Sequence, residues 1–261
     1  MRWVRRLCIA TASAMLLWPA LACADTANPI DPGDTVPGHP GVTYLDLVRE
    51  GQLAPSPRHI LGLSDNGDAP DQPQLGGIEA QPLMAAGRRR LAVLADYGAA
   101  PDSAESYSLL MLFDDAPKPK LLDVVDVGVD KNTGFDEHPL IRMSPGDDAL
   151  VTYSEHSNSN QSYMARLLML VRGDRFQLID DVSSFSDDGC GWRREEVPAF
   201  ATKPAAGSPY RELDVTVTET LTHPDEDCGD DKIPRAYRHI WRGAWRWDAH
   251  KGAFTERLHQ L

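Results

Sequence analysis

Cysteine is scarce: the 261-residue sequence has four, and two of them, Cys8 and Cys23, fall within the first 24 residues. That excludes a small fold stapled by many disulfides and a cysteine-rich zinc site. C-x-x-C, H-E-x-x-H, G-x-S-x-G, G-x-x-x-x-G-K-S/T and G-x-G-x-x-G are all absent. The redox pairs, metals, nucleophiles and phosphates that those spacings serve therefore have no signature here. Basic residues are outnumbered, with 26 Lys and Arg against 39 Asp and Glu. A formal charge of −13 argues against nucleic acid and anionic membrane surfaces as partners. Helical periodicity is almost missing as well.

One long hydrophobic run is present, Leu7 to Ala22, directly after Arg2, Arg5 and Arg6. Charge followed by a short apolar stretch is the order of a secretory signal, and the run is too short for a comfortable membrane span. Ala22-Cys23-Ala24 places small residues at a peptidase site, so residues 1–24 are expected to leave and the rest to work in the periplasm or outside the cell. The alternative is lipidation at Cys23, the one route by which a membrane would become a partner. Loss of the leader changes the formal charge from −13 to −16. It also leaves Cys190 and Cys228, expected to form a disulfide in an oxidising compartment. Closing that loop would restrain the unfolded chain by about 3 to 4 kcal/mol in the entropy model.

Residues 25–84 form a Pro-, Gly- and Asp-rich N-terminal segment in which 25–40 is expected to be a leader or strap and 42–53 one amphipathic helix or a short strand near Tyr44. Ordered sheet is expected from about Arg89, in a β-rich domain over 85–261. Short apolar segments bounded by turn residues place strands at 90–97, 106–113, 120–127, 148–154, 163–172, 175–182, 211–222 and 235–247. The fold class expected is all-β, made of antiparallel meanders and hairpins in a partial propeller or β-sandwich. A faint repeat supports it: hairpins at 107–127, 163–182 and 237–258 resemble one another.

Four features carry the candidate sites. The segment 237–247 alternates Tyr237, His239, Trp241, Gly243, Trp245 and Trp247 with Arg238, Ile240, Arg242, Ala244 and Arg246. Trp241, Trp245 and Trp247 would stack on a sugar or other flat ligand if exposed, and would be core if buried. The arginine face would pair with Glu212 and Asp214 on the neighbouring strand. The proposed disulfide joins two acidic loops whose Asp187, Asp188, Asp227, Asp230 and Asp231 are candidate calcium ligands, the other reading being a solvated loop balanced by Arg193 and Arg194. The polar stretch from Glu155 to Tyr163 is expected as a long loop, with His156, Asn158 and Asn160 as candidate ligand contacts or as self-satisfied turn residues. Asp130 to Glu137 matches a calcium loop only superficially, since Gly134 takes the third ligand position, and is expected as a turn.

YSLLMLF, KLLDVVDVG, HSNSNQSY and GCGWRREE give the region 85–261 a pattern that resembles uncharacterised exported β-rich proteins of Gram-negative bacteria. There is also a loose likeness to FG-GAP propeller repeats, whose D-x-D-x-D-G calcium loops are missing here. The resemblance carries no assigned chemistry. The function expected is a non-catalytic domain that binds a protein or small-molecule ligand. A hydrolase using dispersed Asp, Glu and His is the alternative, and a calcium-stabilised scaffold a third.

Overall fold

The computed structural model describes residues 30–54, 58–59, 74–99, 106–223 and 234–260. The leader, Cys23, Cys228, Asp227, Asp230 and Asp231 lie outside the described residues. The elements are a helix α1 (Tyr44–Gln52) and thirteen strands: β1 (Arg58–His59), β2 (Gly77–Ala85), β3 (Arg88–Ala99), β4 (Ser106–Asp114), β5 (Leu121–Asp126), β6 (Asn132–Ser144), β7 (Asp147–Asn158), β8 (Gln161–Arg172), β9 (Arg175–Gly189), β10 (Trp192–Lys203), β11 (Glu212–Thr222), β12 (Tyr237–Asp248) and β13 (Ala253–Gln260). They form two open sheets, ordered β1-β5-β4-β3-β2 and β13-β12-β11-β10-β9-β8-β7-β6. Every neighbouring pair is antiparallel except the two-residue pairing of β1 with β5. Over the described residues the chain is all-β with one short helix.

Side-chain alternation shows how the sheets stack. Leu150, Leu167 and Met169 point from β7 and β8 into a core shared with Leu94, Leu110 and Val125 of the first sheet. Their alternates Ala149, Val151, Leu168 and Leu170 point the opposite way, into a core shared with Leu213, Val215, Val217 and Trp245 of β11 and β12. The second sheet therefore folds back on itself, with β6–β9 as a middle layer and β10–β13 as an outer one. The turning point is the tip of β9 and β10, which pair only from Ser186–Glu195 to Gly189–Trp192. There the Trp192 indole lies over Gly189, where a Cβ would approach the ring to 2.2 Å.

The other face of the first sheet buries Leu91, Val93, Leu109 and Met111 against Leu47 and Val48 of α1 and Val36 of the preceding strap. Burial on both faces explains the unbroken apolar runs of β3 and β4. Thr43 and Asp46 form a capping box at the start of α1. His39 fixes the strap, with Nδ1 2.7 Å from the Ala116 carbonyl oxygen.

Besides the two-residue β1, three strands depart from the sequence expectation, and each of these holds a proline. Sheet begins at Gly77, not near Arg89, because Pro82 is tolerated on β2, an edge strand. Asp130 to Glu137 is not simply a turn: Asn132 already belongs to β6, where Pro139 sits in a bulge on the other edge. Pro198 lies on β10 beyond its contact with β9, so its missing N–H costs no ladder bond. Layers are tied by carboxylates that accept from backbone N–H groups across sheets. Asp148 takes Met84 at 2.9 Å, Asp147 takes Ala86 at 2.7 Å, and Glu79 takes Phe135 at 2.8 Å.

Candidate functional site

The stretch around His156 is not a long loop. β7 and β8 stay in register through His156–Tyr163, Ser157–Ser162 and Asn158–Gln161, and the turn needs only Ser159, at φ +53°, and Asn160. Its polar composition reflects an exposed hairpin end, where Ser and Asn satisfy local groups. His156 Nδ1 is bonded to Asp130, and its ring stacks on Tyr163 with centroids 5.0 Å apart. Tyr163 meets Phe185 at 4.8 Å, and the Arg194 guanidinium lies 4.6 Å over Phe185. The stacked faces are turned toward one another, so this row spends its aromatic surface on itself. Asn158 is exposed, and Asn160 donates to Asp187 Oδ1 at 3.3 Å and to the Asp188 carbonyl.

The tryptophan face packs inward. Trp245 is 5% exposed, and Trp241 and Trp247 pack partly against the same core. Asp187 is half-buried, while Asp188 is exposed and pairs with Arg193 at 3.5 Å. Among the described residues no group of three His, Cys, Asp or Glu side chains converges as a metal site. Cys190 lies in the β9–β10 turn. No described helix is long and apolar enough to cross a membrane.

A concave site appears where the sequence suggested only structure, on the outward face of β10–β13. A groove of about 530 Å³ is lined by Lys203, Glu212, Asp214, Thr216, Arg242 and Arg257. Strand alternation brings these together: Lys203 faces Glu212 across β10–β11, and Thr216 faces Arg242 across β11–β12. Arg257 arrives differently. Trp245 pairs with Glu256 and Ala244 with Leu258, so Arg257 is the extra residue of a β-bulge. Bulges re-aim side chains, and this one places Arg257 on the groove.

The expected pairing of the arginine face with Glu212 and Asp214 does not form. Lys203 takes both carboxylates instead, at 2.9 and 2.8 Å. Hydrogen bonds to Asp214 and Glu212 raise its pKa above the ordinary lysine value. Arg242 and Arg257 are left with no ion pair or side-chain hydrogen bond among the described residues. A guanidinium presents a rigid fork of donors that matches carboxylate, sulfate or phosphate oxygens in pairs. Among the described residues the groove thus offers two unspent forks beside carboxylates that are already occupied. Only the bulge, invisible in residue order, separates this surface from an ordinary solvated sheet face.

Comparison of the chain with protein-family models, curated proteins and solved structures gives no match.

Proposed function

We propose that this chain is a non-catalytic binding domain of an exported protein, and that its ligand is an anion held in the groove by Arg242 and Arg257. The observation that carries the reading is the division of charge. Every lining carboxylate of the groove is engaged by Lys203, while neither arginine is paired among the described residues of a strongly acidic chain. Thr216 adds a hydroxyl that can donate to the same anion. Calorimetric titration with inorganic sulfate, inorganic phosphate and monomeric glucuronate tests it. Weak, salt-sensitive binding of at least one, abolished by Arg242→Ala or Arg257→Ala at unchanged melting temperature, supports the proposal. Absence of binding to all three at low ionic strength overturns it.

A further inference from the structure

We infer that the ligand is an acidic oligosaccharide laid along β12 and β13, a step that rests on the anion-binding reading above. A second hollow of about 380 Å³ continues the groove and is lined by Ser208, Arg246, Trp247, Asp248, Ala249 and Thr255, with Arg257 common to both. Arg242 and Arg246 stand four residues apart on the same face of β12. Four residues of strand span about 13 Å. With Arg257 between them, three guanidiniums mark a line rather than a point. A single small anion satisfies one fork, whereas a chain with repeated charges reaches all three.

The second hollow distinguishes the kind of chain. Its one carboxylate, Asp248, is held by the backbone N–H groups of His250 and Lys251 at 2.9 and 3.2 Å. Arg246 donates to the Ala206 carbonyl at 2.5 Å through Nη2, which fixes the guanidinium over the hollow. Two hydroxyls, Ser208 and Thr255, complete the lining together with the part of the half-buried Trp247 indole that is not taken by Arg172, Tyr210 and Phe254. Hydroxyls beside an apolar ring suit sugar rings, which carry both polar edges and C–H faces. Polyphosphate has charge but no apolar face for Trp247 to meet. Repeating carboxylates or sulfates on a sugar backbone supply both.

The test compares mono-, di- and tetragalacturonate with tripolyphosphate by calorimetry. Affinity is expected to rise at least tenfold from monomer to tetramer. Arg246→Ala should remove most of that gain and leave monomer binding unchanged. Because Arg246 also holds Ala206, Ala249→Asp serves as a second variant, adding a repelling charge at an exposed position of the same hollow. Equal affinity for monomer and tetramer, with monomer binding still lost in Arg242→Ala, sinks the oligosaccharide inference and leaves the anion site standing. Tighter binding of tripolyphosphate than of tetragalacturonate also overturns the sugar assignment. Failure of every probe removes both.

Discussion

Lys203 Nζ lies 2.8 Å from Oδ1 of Asp214 on the neighbouring strand. The contact is exposed and adds little stability, since a surface pair is screened by solvent and must hold two long side chains in place. Its importance is positional, because it keeps a carboxylate away from Arg242. Replacing Lys203 by Met should free Asp214 and Glu212 to pair with the arginines, lowering affinity for glucuronate or sulfate by at least threefold. Lys203→Arg should keep most of the affinity. Titration calorimetry of both variants, with melting temperatures as controls, checks this.

Asp148 is 3% exposed and accepts from Arg142 Nε at 2.7 Å and from the Met84 N–H at 2.9 Å. Asp148→Ala leaves a backbone donor of β2 without its acceptor, at a cost of about 2 to 3 kcal/mol. For a chain of this length that is a fall in melting temperature of about 4 to 12 °C. Asp148→Asn keeps an acceptor for Met84 and should lose roughly half as much. Urea unfolding of the two variants measures the difference.

Burial raises the Glu79 carboxyl above its ordinary value, with the charge of Asp96 adding to the effect and the Phe135 N–H opposing it. The folded state therefore holds this proton more tightly than the unfolded chain does. The resulting stabilisation is complete below the unfolded value of 4.5 and is lost as pH rises through the folded value. Glu79→Gln should abolish that part of the pH dependence while keeping an acceptor for Phe135. Unfolding curves from pH 4 to pH 8 should show wild type gaining on the variant as pH falls; parallel curves would refute the assignment.

Tyr97 is pushed up to about 12, first by burial and then by Tyr107. The neutral phenol favours the fold, so stability present below pH 10 is lost as pH rises toward 12. Ultraviolet titration should show a component ionising at about 12 that is missing from Tyr97→Phe. Tyr97→Phe should flatten the alkaline limb of the stability curve.

His156 and Asn158 separate structural from peripheral roles within one hairpin. His156→Ala removes the bond to Asp130 and the stack on Tyr163, and should cost about 1 to 2 kcal/mol. Asn158→Ala, at an exposed position, should change stability by less than about 0.5 kcal/mol. Equal effects of the two substitutions in thermal unfolding would show that the row is not built as described.

The strands that could be recognised in advance were those whose turns and apolar runs agree. Arg172-Gly173-Asp174-Arg175 is an example, with Gly173 and Asp174 both at positive φ in the β8–β9 hairpin. The alternation that sets Trp241, Trp245 and Trp247 on one face was equally plain, although which way that face turns was left open until the fold showed Trp245 inside. Strands β2, β6 and β10 were hidden by Pro82, Pro139 and Pro198, which break a ladder only where a neighbour needs the missing N–H. The groove was hidden for two reasons. Residue order shows that Arg242 can reach Asp214, but it does not show Lys203 arriving first from β10. Nor does it show the bulge that turns Arg257 outward.

The middle layer, with its leucines divided between two cores, makes the chain difficult to cut into working pieces. A fragment ending before β10 would leave Val151, Leu168 and Leu170 facing water, and one beginning at β6 would do the same to Leu150, Leu167 and Met169. Either exposes a contiguous sticky sheet face, a hazard for self-association. Apart from β1 with β5, strand pairing is between sequence neighbours, so the step that awaits residues distant in sequence is the packing of layer on layer, and it is this that slows folding. Recombinant work on the arginine groove should therefore carry the strap, both sheets and the final strand together.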